Sequence, residues 1–241
     1  MLGHVTQGEG ARRVVVLNDW LCDTSTWDGA RAYLDEARCT WAFADVRGYG
    51  RSRGQRGSFT AREMASDVLA LADSLGWSRF CIVGHSMSTF AASQLAQEHP
   101  ERIERVVLVT PPPPRGFGYD DATMDAVRAM ALGDDERRLK GLRMMLGERL
   151  SHGFVRYKAE QWRASSDAEA VAGYVAVFGR DGLAHPERTI TPPTLAIACE
   201  EDAPPMRSAA LRPVLEPLFS SLTLSSFADC GHYPMQEMPP R

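Results

Sequence analysis

The chain has 241 residues, 44% of them hydrophobic and 24% charged, with a formal net charge of −4 and a pI near 5.9. That length suits one sizeable core, alone or with an insertion, and the acidic balance argues against nucleic acid as a partner because phosphate binding needs a basic face. No apolar run reaches the length of a bilayer crossing, and the opening Met1–Gly8 is too polar for a secretory leader, so a cytoplasmic protein is expected.

Strand and helix alternate along the chain. Arg13–Leu17 reads as a buried strand, Thr26–Glu36 as a helix and Cys39–Ala44 as a strand. Thr60–Leu75 reads as a helix with apolar residues at Met64, Val68, Leu71 and Leu75. Phe80–Val83 and Val106–Val109 continue the sheet. The pattern breaks at Thr110-Pro111-Pro112-Pro113-Pro114, because consecutive prolines enter neither a helix nor a central strand. It resumes at Thr191-Pro192-Pro193. Between the breaks, 122–132, 135–150, 155–164 and 168–178 read as helices. Thr194–Cys199 is then a fully buried strand and Leu222–Phe227 an alternating one. Such alternation predicts an α/β protein with a mostly parallel central sheet flanked by helices. Residues 1–114 and 190–241 form the expected core, and 115–189 an expected helical insertion.

The stretch Gly84-His85-Ser86-Met87-Ser88-Thr89 follows the strand at Phe80 and opens the helix-like run Phe90–Ala96. A buried strand turning sharply into a helix through Gly-x-Ser exposes a serine hydroxyl beside backbone N–H groups, the geometry of an activated nucleophile. The plain alternative is a serine that only caps a helix. A nucleophilic serine needs a histidine to take its proton and a carboxylate to orient that histidine. Glu200-Glu201-Asp202 follows the strand at Thr194, and Asp229-Cys230-Gly231-His232 follows the last strand, both at the carboxyl ends where open α/β sheets build their sites. Of the six histidines, His232 alone follows both a strand and a glycine near the chain end. His85 belongs to the turn itself, His99 ends a helix, His152 and His185 lie in the insertion, and His4 sits in an expected loose terminus.

These features resemble the α/β-hydrolase fold superfamily, of the serine esterase type. Leu17-Asn18-Asp19-Trp20-Leu21-Cys22-Asp23-Thr24-Ser25-Thr26-Trp27 stands where that family has its oxyanion loop, Asp45-Val46-Arg47-Gly48-Tyr49-Gly50-Arg51-Ser52 matches its Asp-x-Arg-Gly-x-Gly-x-Ser turn, and Pro100-Glu101-Arg102-Ile103 its link to the following strand. The similarity covers about residues 12–112 and 192–240. It implies a catalytic triad of Ser86, Asp202 and His232, with Asp202 chosen by matching Cys199-Glu200-Glu201-Asp202 to the family's Gly-x-x-Asp and Glu201 as its understudy. The carboxylate position that some members use after the next strand is Thr110-Pro111 here. The resemblance also implies an oxyanion hole from the N–H groups of Trp20 and Met87, a helical cap over the site, and neither metal nor cofactor. Substrate contacts are expected from Asn18, Asp19, Trp27, Phe117 and Trp162, with Met144, Met145 and Phe178 as further candidate lining. An N-terminal hairpin and a helix after the histidine loop are also implied, with few residues before Arg12 and nine after His232 to form them.

The implied reaction is hydrolysis of a small or medium apolar carboxylic ester or lactone through an acyl-enzyme. Two departures keep other readings in play. Asn18-Asp19 replaces the usual His-Gly, and an ionised carboxylate aimed into the oxyanion hole would repel the oxyanion; bonding of Asp19 to nearby backbone N–H groups is the plain alternative. Ser88 replaces the commoner glycine, as in members that include small-molecule receptors. Carbon–carbon hydrolysis, lyase chemistry, cofactor-free oxygenation and a ligand-binding receptor with vestigial hydrolysis are therefore the alternatives. The five cysteines have no metal-like spacing. They read as buried small hydrophobes, with Cys22 and Cys230 near enough to the site to be oxidisable thiols.

Overall fold

The computed structural model describes residues 1–146 and 149–240, with the side chain of Met144 outside the described set. Its centre is a seven-stranded sheet of order β1-β3-β2-β4-β5-β6-β7: β1 His4–Gln7, β2 Arg12–Leu17, β3 Cys39–Ala44, β4 Phe80–His85, β5 Ile103–Val109, β6 Thr194–Cys199 and β7 Leu222–Phe227. β1 pairs antiparallel with β3 and every other pairing is parallel. Parallel strands are covered on both faces, which is why Val14, Val15, Val16 and Leu17 are all buried rather than alternating. β7, at the sheet edge, has no fully buried residue.

The helices on the core are α1 Asp28–Arg31, α2 Ala61–Ser74, α3 Thr89–Glu98, and further on α8 Ser208–Leu215 and α9 Pro234–Glu237. α2 starts where the Thr60 hydroxyl accepts from the Glu63 N–H at 3.1 Å. It buries Met64, Ala65, Val68, Leu71 and Ala72 as its apolar spacing predicts. Between β5 and β6 the insertion forms α4 Asp121–Leu132, α5 Asp135–Leu146, α6 His152–Ser165 and α7 Ala168–Ala176, the last running into a π-helical turn at Val177–Asp181. Its two stems pair with each other: Phe117 N–H donates to Phe178 O at 2.8 Å, and Leu183 N–H to Pro114 O at 2.7 Å.

Several expectations are corrected. The helix expected over Thr26–Glu36 is a 3₁₀ turn at Thr24–Trp27 followed by the single turn α1. The Arg31 carbonyl there accepts from Gln7 Nε2 and Leu34 N–H, which closes the helix early. His4 is not in a loose terminus but begins β1, held by the buried Leu2 and by the Asp45 N–H donating to Gly3 O at 3.0 Å. α5 ends at Leu146; part of the expected continuation lies outside the described residues, and Arg149 and Leu150 are in a bend. α6 begins at His152, three residues before the expected start, because the Ser151 hydroxyl caps the Phe154 N–H at 3.2 Å.

Candidate active site

Four strand ends deliver the site. β2 leads into the loop from Asn18, β4 into Ser86, β6 into Asp202 and β7 into His232. The strand order reverses between β2 and β4, so the loop and the serine flank a topological switch point, where α/β sheets open a crevice.

Ser86 is held at φ 53°, a left-handed conformation that a serine adopts only when its surroundings enforce it. The turn is tied by the His85 N–H donating to Ser88 Oγ at 2.9 Å and by Thr89 Oγ1 donating to Ser86 O at 2.6 Å. Gly84 admits the helix backbone: a Cβ there would lie 2.7 Å from Ser88 O and 2.8 Å from Thr89 N. Gly84→Ala is accordingly expected to cost about 2 kcal/mol of overpacking strain, read as a lower urea midpoint with an unchanged slope.

Ser86 Oγ lies 2.9 Å from His232 Nε2, and His232 Nδ1 lies 2.8 Å from Asp202 Oδ2. Asp202 Oδ1 accepts from Ala203 N–H at 2.7 Å, which fixes the carboxylate. Glu201 and Asp229 are exposed and make no bond to His232, so the structure brings Asp202 alone of these acids to the imidazole. Burial by itself would lower the pKa of His232, but the Asp202 carboxylate beside it, with Asp19 and Glu237, raises it above an ordinary histidine. Glu237 also straps the loop, accepting from Gly231 N–H at 2.8 Å and Tyr233 N–H at 3.1 Å while pairing with Arg149. The carbonyl of His232 accepts from Thr110 Oγ1 at 3.3 Å and is 2.8 Å from His85 Nε2. His85 thus shapes the turn, and burial takes its pKa down to about 4.

The loop after β2 is knitted by Asn18, whose Nδ2 donates to the carbonyls of Asp19 and Cys22 at 2.8 Å and whose Oδ1 accepts from Val46 N–H at 2.8 Å. Trp20 is pinned at both ends: its indole N–H donates to Val171 O at 2.8 Å, and its carbonyl accepts from Tyr49 OH. Met87 opens the turn into α3, where the first N–H groups of a helix have no intrahelical acceptor. The Asp19 carboxylate accepts from Cys22 N–H at 3.2 Å and from Tyr233 OH at 2.8 Å, so both oxygens are engaged within the loop and its neighbour. Burial opposes its ionisation, yet Lys158, His85, Tyr233 and His232 hold its pKa below the usual carboxylate value.

A cavity of about 680 Å³ opens over Ser86 and His232. Asp19, Trp20 and Leu21 line it from the core, Ala203, Pro205 and Met206 from the acid loop, and Phe117, Tyr119, Thr123, Val127, Met130, Met145 and Phe178 from the insertion. No lysine or arginine is among the described lining residues. Of the expected substrate contacts, Asp19 and Phe117 line this cavity and Asn18, Trp27 and Trp162 do not. Asn18 is consumed by loop bonds. Trp27 turns its indole N–H to Leu17 O at 3.1 Å, and Trp162 packs against Trp20 with ring centroids 5.9 Å apart. Met144, also expected there, lies outside the described side chains. All five cysteines are buried and unpaired, and burial pushes the Cys22 thiol up to about 12, so neither Cys22 nor Cys230 is an accessible thiol.

Sequence reasoning passed over Lys158, Tyr233 and Glu237. Lys158 had a visible signal: it follows Val155 by three residues and precedes Trp162 by four, on the apolar stripe of α6, where a charge needs a partner.

The family model for the alpha/beta hydrolase fold matches residues 21–237. A pimeloyl-[acyl-carrier protein] methyl ester esterase of Citrobacter koseri is 35% identical over 109 residues, a match spanning 45% of this chain and 40% of that protein. Two solved structures share the fold across nearly the whole chain. A hydrolase from Oleispira antarctica has a TM-score of 0.84 at 17% identity, covering 98% of this chain and 90% of its own. An esterase from Exiguobacterium antarcticum has 0.81 at 18% identity, covering 96% and 88%. With the sheet, the strand-turn-helix at Ser86 and the helical insertion all in place, the chain belongs to the alpha/beta hydrolase fold family.

Proposed function

We propose that the protein is a serine hydrolase that cleaves a small or medium apolar carboxylic ester or lactone through an acyl-enzyme. The observation that carries this reading is the unbroken relay from Ser86 Oγ through His232 to Asp202, at 2.9 and 2.8 Å, opening into an apolar cavity. His232 takes the serine proton as Oγ attacks the carbonyl. The backbone N–H groups of Trp20 and Met87 hold the oxyanion, each such donor contributing about 3 kcal/mol to the transition state. His232 then returns the proton to the leaving oxygen, and water, activated by the same imidazole, releases the acid.

The cavity volume suits a drug-sized or smaller ligand. Tyr119 and Thr123 supply polar atoms from the insertion, and the carboxylates are Asp19 and Asp202. A substrate with a free carboxylate would meet no cation in this lining, which favours an uncharged acyl group. The insertion acts as the cap that excludes water while the acyl-enzyme forms. The ester chemistry in the name of the Citrobacter relative points the same way, over the part of the chain that it matches.

The test is intact-mass analysis after incubation with a fluorophosphonate, which needs no knowledge of the substrate. Wild type is expected to gain one adduct and Ser86→Ala none. Folded wild type without an adduct would overturn the hydrolase reading in favour of a ligand-binding receptor of the same fold.

A further inference from the structure

Only Lys140 and Lys158 are lysines among the 27 basic residues of this chain, and Lys158 is 0% exposed. A side chain that is almost never fully buried unless paired needs an explanation here. Its ammonium sits 3.9 Å from the centroid of the Tyr233 ring and donates to Gln161 Oε1 at 3.2 Å. Gln161 in turn donates to Ser25 Oγ at 3.1 Å, which seats this part of α6 on the core. None of those partners carries a full negative charge. The buried anion bonded to the same tyrosine is Asp19, which accepts from Tyr233 OH and is 1% exposed. Tyr233 therefore stands between the two charges, its ring face toward the ammonium and its hydroxyl on the carboxylate.

The position of this arrangement gives it a consequence. Asp19 directly precedes Trp20, the proposed oxyanion donor, and Tyr233 directly follows His232. Without an opposing charge, a carboxylate at Asp19 would repel the developing oxyanion and stabilise the imidazolium of His232. We propose that Lys158 is a positioning residue of the hydrolytic site, delivered by the insertion, whose buried ammonium balances the Asp19 carboxylate beside the oxyanion donor. The inference rests on the serine hydrolase reading. It makes the seating of α6 a condition for a charge-balanced site rather than a matter of shape alone.

The groups facing His232 are Asp202 from the acid loop, Asp19 from the loop after β2, His85 and Ser86 from the elbow, Tyr233 from its own loop, and Glu237 from α9 with its partner Arg149, while Cys22 lies beside Asp19 and Lys158. Asp19 lies among the charges that raise His232, and the buried Lys158 reaches Asp19 across the Tyr233 ring.

The test follows the rate of fluorophosphonate labelling against pH in wild type, Lys158→Met, Asp19→Asn and the double variant. Methionine keeps most of the length of the side chain and removes its charge. In Lys158→Met the labelling rate is expected to fall by about tenfold or more, and the acid limb to move to higher pH by about half a unit to one unit. Adding Asp19→Asn should restore both toward wild type, whereas a merely structural lysine would give additive losses and an unmoved limb. Asp19→Asn alone should move the acid limb to lower pH, so the proposal stays testable where Lys158→Met fails to fold. An unmoved limb in both folded single variants, or additivity in the double variant, overturns the inference while leaving the hydrolase intact. An unlabelled wild type overturns the hydrolase reading instead.

Discussion

His232→Ala is expected to lower kcat for a chromogenic aryl ester by about a millionfold, leaving the slow reaction that binding and oxyanion donors alone support. The size of the loss follows from the absence of a substitute. His232 Nε2 is 2.9 Å from Ser86 Oγ. The other imidazole nearby, His85, has its Nε2 turned to the His232 carbonyl at 2.8 Å and a pKa of about 4, so it is both misdirected and a weak base. Residual activity above about one part in a hundred would assign the base to another group. The same imidazole is expected to set the pH profile. His232 must be neutral to accept the proton, and its pKa is raised above the ordinary 6.5 chiefly by Asp202, against burial. Activity is therefore expected to be lost as pH falls through that raised value. The acid limb of kcat/KM, which reports the free enzyme, is expected above pH 6.5, and a limb at or below it would contradict the electrostatics of the site.

The parts of this molecule that were legible in the sequence are those fixed by local rules. The run at Val14–Leu17 could only be a doubly buried strand, and Gly84 before Ser86 marks a turn too tight for a Cβ, as the 2.7 Å approach to Ser88 O confirms. The spacing of Met64, Val68 and Leu71 announced α2. Elements fixed by distant partners were not legible. β1 is four residues of mixed polarity, and its pairing with β3 is what makes it a strand. α1 stops short because a glutamine from β1 takes its carbonyl. α8 carries Pro213 inside it, which reads as a break in sequence.

The site divides in the same way. Ser86 and His232 announce themselves by context, whereas residue type does not say which side chains face the cavity. Trp27 and Trp162 are large and aromatic, but one caps a backbone carbonyl and the other buttresses Trp20. The cavity is lined instead by residues such as Met206 and Val127, with nothing distinctive in their local sequence. Asp19 illustrates the gap most clearly. As a sequence position it reads either as a threat to the expected oxyanion hole or as a carboxylate bonded to nearby backbone N–H groups; it accepts from the local Cys22 N–H, and tertiary structure adds Tyr233 OH and Lys158 as its counterparts.

Asp202→Asn is expected to reduce kcat by about ten-thousandfold while leaving the fold and the cavity intact. The argument is one of tautomers. Asp202 Oδ2 sits 2.8 Å from His232 Nδ1, so in wild type Nδ1 carries the hydrogen and Nε2 presents its lone pair to Ser86 Oγ. An asparagine amide in the same place can donate to Nδ1, which shifts the hydrogen to Nε2 and leaves the imidazole unable to accept the serine proton. The imidazolium formed during attack also loses the carboxylate that stabilises it, so the acid limb should fall toward lower pH in what activity remains. Glu201→Gln and Asp229→Asn are the matched controls. Both residues are exposed, and neither bonds His232, so each variant is expected to stay within about twofold of wild type. Comparable losses in Glu201→Gln and Asp202→Asn would mean that the acid loop rearranges on substrate binding and that the relay seen here is not the one used in turnover.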